Sequence, residues 1–124
     1  GFDRVLVDAP CSDLGALASR PDARWRKSPA LIDRVAKLQG EILDRATGFL
    51  REGGSLVYST CTISKRENSD QALALAEKHD LVIDDLGARA PHLGDPHDSR
   101  FLQLTADRDH TTGFFIARFT SGAV

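Results

Sequence analysis

The chain has 124 residues, of which 41% are hydrophobic and 27% charged, and this size and composition predict a single folded domain at most. No apolar run approaches the roughly 20 residues of a membrane span, no secretory pattern is visible, and two cysteines are too few for a disulfide scaffold, which favours a cytoplasmic protein. The net charge of −2 excludes a generally cationic nucleic-acid binder, so any contact with RNA or DNA requires a local patch.

The first predicted element is a strand in RVLVDAP, where three consecutive apolar residues come before a proline. Such a run is typical of a parallel strand that is buried on both faces. Strands of this kind normally lie in the middle of a sheet, and nothing precedes this one that could pair with its other edge. We therefore expect the chain to begin inside a larger fold, and we expect the strand at 5–8 to favour self-association.

A loop over residues 11–30 and then a long helix are predicted next. Ser28 is the expected N-cap and Pro29 the first helical residue. The Gly53-Gly54 pair is expected to end the helix. One apolar face recurs at steps of three and four residues and comprises Leu31, Val35, Leu38, Ile42, Ala46 and Phe49.

The second half of the chain continues the alternation of strands and helices. SLVYSTC reads as a second buried strand, and Ser64 with Glu67 forms a capping-box pattern that predicts a helix to about His79. LVIDDL is a third strand candidate, and RFLQL and GFFIARF predict a final strand pair with a turn around 105–113. This order predicts an α/β fold whose sheet is parallel in its first part and ends in an antiparallel pair.

The two cysteines both follow the ends of predicted parallel strands. Ligands bind beyond the carboxyl ends of such strands, so we expect Cys11, Cys61 and the carboxyl group of Asp8 at one edge of the sheet. A helix N-terminus soon after Cys61 would favour its thiolate form. From the residues alone, each cysteine could instead be a small buried apolar residue. A disulfide and a metal site are both disfavoured, because the compartment is reducing and the histidines lack ligand spacing.

At this point the sequence resembles a known family. DAPCS together with STCT, and also RPDARW, LQGEIL, GGSLVYSTCTISKREN and TGFFIARF, resemble the Nop2/Sun (RsmB, or Fmu) family of RNA cytosine-5 methyltransferases over nearly the whole chain. The resemblance implies the C-terminal part of a Rossmann-like, S-adenosylmethionine-dependent methyltransferase sheet. It implies that residues 1–124 are a partial catalytic domain whose first, cofactor-binding half is absent.

The resemblance also implies roles for individual residues. Cys61 would be the nucleophile that adds to the cytosine, Cys11 would assist product release, and Asp8 would contact the cytosine ring. Asp8 and Pro10 would contact S-adenosylmethionine. The family's glycine-rich cofactor turn has no counterpart in these 124 residues, so the isolated chain is expected to bind the cofactor poorly and to be inactive.

A basic stretch that includes the only tryptophan follows Cys11 and is the predicted contact for RNA. The resemblance, and in particular the last residues of the chain, favour small-subunit ribosomal RNA as the substrate. A solvated loop with the tryptophan packed inward is an equally open interpretation. The candidate RNA-binding residues are Arg20, Arg24, Trp25, Arg26 and Lys27.

Two other functions remain open at this stage, an exocyclic-amine methyltransferase and a non-catalytic RNA-binding module. Around the second cysteine, the resemblance suggests that Glu67 and Asn68 help hold the loop, but a helix cap explains Glu67 by itself and is the preferred interpretation. Thr112 stands where the family usually has an aspartate, and Phe114 and Phe115 are both expected to be core residues.

Overall fold

The computed structural model describes residues 1–12 and 28–122, which fold into a five-stranded mixed sheet with helices. The elements in chain order are β1 (Phe2–Asp8), α1 (Pro29–Gly48), β2 (Leu50–Thr60), α2 (Ser69–His79), β3 (Val82–Ile83), a 3₁₀ turn (Pro91–Leu93), β4 (Leu102–Leu104), α3 (Ala106–Asp109) and β5 (Phe114–Thr120). The predicted α/β class is therefore confirmed.

The pairing of β1 with β2 is parallel, as predicted, and Asp8 lies opposite Ser59 at the last position of the ladder. β5 lies on the other side of β2 and runs antiparallel to it. β4 pairs antiparallel with β5, so the terminal strand pair is confirmed. The third predicted strand is reduced to the two residues of β3, which pair antiparallel with β5. Within the described residues, the parallel part is thus the β1–β2 pair.

A single core joins one face of the sheet to α1 and α2. Phe115 is fully buried in it, with its ring edge-on to the rings of Tyr58 at 6.2 Å and Phe101 at 5.5 Å between centroids, and its prediction as a core residue is confirmed. The same prediction is wrong for Phe114, which is of intermediate exposure and is not among the core residues. The buried apolar side chains of this core are Val7, Ala9, Leu43, Leu56, Tyr58, Ala72, Leu75, Leu81, Phe101, Phe115, Ala117 and Phe119.

The other face of β1 is open in the described part of the chain. Val7 is 6% exposed, but its neighbour Leu6 is 69% exposed, so the expectation that this strand is buried on both faces is wrong for these residues. Leu6 lines an open groove of about 790 Å³ with Val57 of β2 and the side chains of Arg4 and Arg118. Consecutive residues of a strand point to opposite faces, and here only one face is covered.

The start of α1 is as predicted. The Ser28 hydroxyl accepts a hydrogen bond from the Leu31 backbone N–H at 3.1 Å, and Pro29 is the first helical residue. The buried face, however, consists of Ala36, Gln39 and Leu43. The predicted apolar stripe is wrong in part, since two of its members, Leu38 and Phe49, are exposed. The observed buried face is shifted by one residue from the predicted stripe, and the polar residue Gln39 lies at its centre.

The prediction that Gly53-Gly54 ends the helix is wrong, because α1 ends at Gly48 and both glycines lie inside β2. Gly53 has φ +79°, a left-handed conformation that favours glycine. A Cβ on Gly54 would lie 2.9 Å from the carbonyl oxygen of Asp3 in β1. The β1–β2 register shifts at this point, so the glycine pair forms an irregularity in the strand.

The second helix begins later than the capping-box pattern predicts. α2 begins at Ser69, with Asn68 as N-cap and no capping bond from its side chain. Before it, the backbone N–H groups of Glu67 and Asn68 both donate to the Ser64 carbonyl in a turn. The capping box is therefore wrong, and the Glu67 side chain points elsewhere. Across the described ranges, no helix is long and apolar enough to cross a membrane.

Candidate active site

Cys11 and Cys61 lie side by side beyond the carboxyl ends of β1 and β2. The backbone N–H of Cys61 donates to the Cys11 Sγ at 3.3 Å. Both residues are thiols of intermediate exposure. The prediction that the two cysteines share one edge of the sheet is thus confirmed, and it follows from the parallel pairing of adjacent strands that end together.

The expected helix N-terminus near Cys61 is wrong. α2 begins only at Ser69, so Cys61 lies outside the first turn of that helix, where the effect of the helix dipole is confined. Instead, Thr60 and Thr62, the residues on either side of Cys61, are hydrogen-bonded to a buried polar network.

The first part of this network is the carboxylate of Glu67, which is fully buried. Its Oε1 accepts hydrogen bonds from the Ser12 backbone N–H at 2.8 Å and from Gln39 Nε2 at 3.2 Å. Its Oε2 accepts from the Ser12 hydroxyl at 2.7 Å and from the Thr62 hydroxyl at 3.0 Å. Because Ser12 follows Cys11 and Thr62 follows Cys61, this one carboxylate joins the two cysteine loops.

The second part of the network is an amide pair, Asn68 and Gln103, both buried. The Asn68 Nδ2 donates to the Thr62 carbonyl and to Gln103 Oε1, each at 2.9 Å. The Thr60 hydroxyl donates to Asn68 Oδ1 at 2.6 Å. The residues on both sides of Cys61 are therefore bonded to Asn68, and Gln103 connects them to the terminal strand pair.

Tyr58 also belongs to this network. Its buried hydroxyl donates to the Glu67 carbonyl oxygen at 2.6 Å. Burial, followed by the negative charge of Glu67, raises the pKa of Tyr58 well above its ordinary value of 10. Tyr58 is thus a neutral hydrogen-bond donor at physiological pH and holds the turn that carries Glu67.

The remaining predicted site residues lie at the rim. Asp8 and Pro10 are both exposed at the end of β1, and the Pro10 carbonyl accepts from Gln39 Nε2 at 3.0 Å. Thr112 is exposed. The nearby Asp109 carboxylate accepts from the Thr105 backbone N–H at 2.8 Å, which explains that aspartate as a cap of α3.

The predicted RNA contacts Arg20, Arg24, Trp25, Arg26 and Lys27 lie outside the described residues. Within residues 1–12 and 28–122, no three His, Cys, Asp or Glu side chains are grouped as ligands for a metal ion.

Sequence reasoning missed Ser12, Gln39 and Gln103. A partial signal existed for Gln39, since it lies directly beside the predicted apolar stripe of α1 and a glutamine must find hydrogen-bond partners when it is buried. No comparable signal marked Ser12 or Gln103, because a serine after a strand and a glutamine in a short strand are ordinary at exposed positions.

These features define a class, an α/β domain with a candidate active site of two adjacent thiols at the carboxyl ends of parallel strands, where sheets of this kind bind their ligands. The sequence model of the 16S rRNA methyltransferase RsmB/F family matches residues 1–120, and the chain belongs to that family. The resemblance to the Nop2/Sun (RsmB, or Fmu) family is therefore confirmed.

Curated relatives agree with this assignment. Ribosomal RNA small subunit methyltransferase B of Shewanella oneidensis is 39% identical over 120 residues, which are 94% of this chain and 26% of the relative. The protein of the same name from Citrobacter koseri is 47% identical over 77 residues, which are 62% of this chain and 18% of the relative. The chain thus spans about a quarter of the length of the first of these relatives, and less of the second.

Solved structures share the fold. A protein named PH0851 superposes with a TM-score of 0.87 and 31% identity over 94% of this chain and 26% of that chain. NSun6 from Pyrococcus horikoshii, solved with SFG, superposes with a TM-score of 0.81 and 30% identity over 96% of this chain and 30% of that chain. The fold of the described residues is therefore that of a methyltransferase sheet, as predicted.

Proposed function

We propose that this chain is part of an enzyme that methylates carbon 5 of a cytosine in RNA, by way of a covalent bond between Cys61 and the base. The observation that carries the proposal is the contact between the two cysteines, with the Cys61 N–H 3.3 Å from the Cys11 Sγ. An exocyclic-amine methyltransferase requires no thiol at this edge of the sheet. A non-catalytic RNA-binding module likewise requires neither Cys11 nor Cys61.

Cys61 is the proposed nucleophile. Carbon 5 of cytosine is too weak a nucleophile to accept a methyl group directly, so a thiolate must first form a bond to carbon 6. This addition moves an electron pair toward carbon 5, which then attacks the methyl group. S-adenosylmethionine supplies that methyl group when it is bound.

Cys11 and Asp8 complete the cycle. After methylation, Cys11 assists removal of the proton from carbon 5, and the electron pair of that C–H bond expels the Cys61 thiolate from carbon 6. Asp8 contacts the cytosine ring and favours the form that the thiolate attacks. Its exposed position at the end of β1 leaves its carboxyl group accessible to a base.

The described residues fit the cofactor only in part. Asp8 and Pro10 are exposed at the strand end where such cofactors bind, but two side chains can contact only one side of so large a molecule. We propose that the other contacts belong to a preceding half of the catalytic domain. The open face beside Leu6 and the quarter-length match to relatives support this division. NSun6 was solved with SFG, an analogue of S-adenosylmethionine, which supports the cofactor class.

The proposed substrate is small-subunit ribosomal RNA, as the names of the relatives suggest, and the proposed location of the enzyme is the cytoplasm. The basic stretch with Arg24, Trp25 and Arg26 would bind its phosphates and stack against an unpaired base.

The test uses the full-length protein that carries this sequence and an RNA with 5-fluorocytosine at the target. Fluorine replaces the proton that must leave, so the adduct cannot be released and the protein stays attached to the RNA. Wild type and the control Ser99→Ala, a change at an exposed loop residue, should both be trapped. Cys61→Ser should form no adduct.

Cys11→Ser distinguishes the two thiols. It should still form the adduct and should accumulate attached to ordinary, methylated RNA. If Cys61→Ser is trapped and Cys11→Ser is not, the two roles are the reverse of those proposed. If wild type methylates RNA but no adduct forms, the exocyclic-amine alternative replaces this one.

A further inference from the structure

Glu67 is a buried carboxylate whose hydrogen-bond donors come from three separate segments of the chain. Ser12 lies after β1, Thr62 lies after β2, and Gln39 lies in α1. An ionised carboxylate is costly to bury unless its oxygens are well supplied with donors, and each Glu67 oxygen has two. A helix cap or a surface ion pair needs no such arrangement, so the position of Glu67 requires another explanation.

The hydroxyl groups of Ser12 and Thr62 converge on one oxygen of the Glu67 side chain. Ser12 and Thr62 have one hydroxyl proton each, and both oxygens lie within 3.0 Å of Glu67 Oε2 and 3.1 Å from one another. A carboxylate accepts both protons at once. A glutamine in the same place can keep these contacts, because its N–H₂ group donates to the two hydroxyl oxygens, whereas an alanine removes all four hydrogen bonds.

We propose that Glu67 is a positioning residue that fixes the Cys11 loop relative to the Cys61 loop. The inference rests on the proposed function for its kinetic consequences. Ser12 directly follows Cys11 in the chain, Thr62 directly follows Cys61, and both are hydrogen-bonded to Glu67. The carboxylate therefore sets the separation of the two thiols without touching substrate. Ser12 supplies two of the four bonds, which means that the Cys11 side depends on Glu67 more strongly.

The amide pair serves as an internal comparison. Asn68 and Gln103 bond to residues on either side of Cys61, so their loss disturbs the nucleophile's own loop. Loss of Glu67 instead moves the assisting thiol away from an intact nucleophile. The two kinds of variant therefore affect different steps of one reaction, adduct formation for the amide pair and adduct release for Glu67.

The experiment measures two quantities in the full-length protein: the rate of adduct formation on RNA with 5-fluorocytosine, and the fraction of protein attached to ordinary RNA during turnover. Glu67→Ala and Ser12→Ala should each raise the attached fraction by about ten-fold, because a displacement near 1 Å slows release strongly. Gln103→Ala should slow adduct formation without raising that fraction. The control Glu77→Gln, at an exposed position of α2, should match wild type in both.

Non-additivity identifies the shared contact. The double variant Ser12→Ala/Glu67→Ala should be no worse than Glu67→Ala alone, because both changes remove the same interaction. A wild-type attached fraction in a folded Glu67→Ala protein, or fully additive effects, would overturn the proposal. If Glu67→Ala does not fold, judged by circular dichroism, Ser12→Ala and Thr62→Val replace it, and their effects should be coupled.

A second readout is independent of catalysis. The Ser12 amide hydrogen is bonded to Glu67, so its exchange with solvent should be slow in wild type and about ten-fold faster or more in Glu67→Ala, with α2 unchanged. If wild type forms no adduct, the proposed function fails, and this exchange rate alone decides on the positioning role. Unchanged exchange at Ser12 overturns that role.

Discussion

The hydroxyl oxygens of Ser12 and Thr62 lie 3.1 Å apart, although the two residues are 50 positions apart in the chain. Each directly follows one of the two cysteines. The parallel pairing of β1 and β2 therefore continues past the strand ends as contacts between side chains. Because a slip of one residue in the pairing would turn every side chain to the opposite face, the register of β1 on β2 also fixes the candidate active site.

The titration of Tyr58 reports on the buried network around Glu67, since Tyr58 is the only tyrosine in the chain and its hydroxyl is bonded to Glu67. Burial and the charge of Glu67 raise its pKa in the folded state above the ordinary value of 10. A raised pKa contributes stability that is complete below pH 10 and is lost as the pH rises above it. We expect no phenolate absorbance until the protein unfolds in alkali.

Tyr58→Phe is the matched variant for that titration. It removes the hydroxyl that donates to the Glu67 carbonyl, and we expect a loss of about 1–2 kcal/mol at neutral pH. The variant should also lose the part of the alkaline destabilisation that Tyr58 causes, measured by urea unfolding at several pH values. A phenolate signal at pH 10 in folded protein would contradict the assignment.

Phe115→Ala tests the core beneath the site. Phe115 is fully buried against Tyr58 and Phe101, so its truncation leaves a cavity and should cost about 3–5 kcal/mol in the free energy of unfolding. Phe2→Ala, at a side chain that is 64% exposed, is the control and should cost far less. Chemical denaturation followed by circular dichroism gives both values, and equal losses would place Phe115 outside the core.

Much of this arrangement could be predicted from local sequence. Ser28 and Pro29 mark the start of α1 by chemistry that is complete within one turn. The approach of Cys11 to Cys61 follows from a topological rule, since two parallel neighbours must end at the same edge. The second inference needed only a strand, a helix and a strand in the right order.

The errors share a different cause. Glu67 satisfies the spacing of a capping box, but its carboxylate has partners from three segments that meet only in the folded chain. Gln39 similarly rotates the buried stripe of α1, because it bonds to Pro10 and Glu67. A pattern of apolar residues contains no information on where a buried polar group finds its partners, and this is why the network was missed.

Leu6→Lys tests the prediction that the strand at 5–8 favours self-association. The Leu6 side chain is 69% exposed on an open face of β1, and apolar exposure beside a strand edge promotes association between chains. We expect the 124-residue wild-type chain to sediment with a mass that rises with concentration, and its Leu6→Lys variant to remain monomeric. Val82→Lys, a change at another exposed strand residue, is the control and should associate like wild type.

Arg24→Glu with Arg26→Glu tests the basic stretch as an RNA contact. Removing two positive charges and adding two negative ones should weaken binding of ribosomal RNA by the full-length protein by about ten-fold or more, and should lower its dependence on salt. Arg45→Glu with Arg89→Glu makes the same change in net charge at exposed positions elsewhere and should have a small effect. Equal losses in the two double variants would indicate general electrostatics rather than a local site.

The cofactor prediction concerns this chain by itself. Asp8 and Pro10 are the described candidates for contact with S-adenosylmethionine, and both are exposed side chains at the end of one strand. Affinity requires burial of most of a ligand's surface in a concave site, which two residues at a rim do not provide. We therefore expect titration calorimetry of the 124-residue chain to detect no micromolar binding of S-adenosylmethionine, whereas the full-length protein should bind it. Asp8→Asn in the full-length protein should weaken that binding, and micromolar affinity in the isolated chain would show that its own residues complete the site.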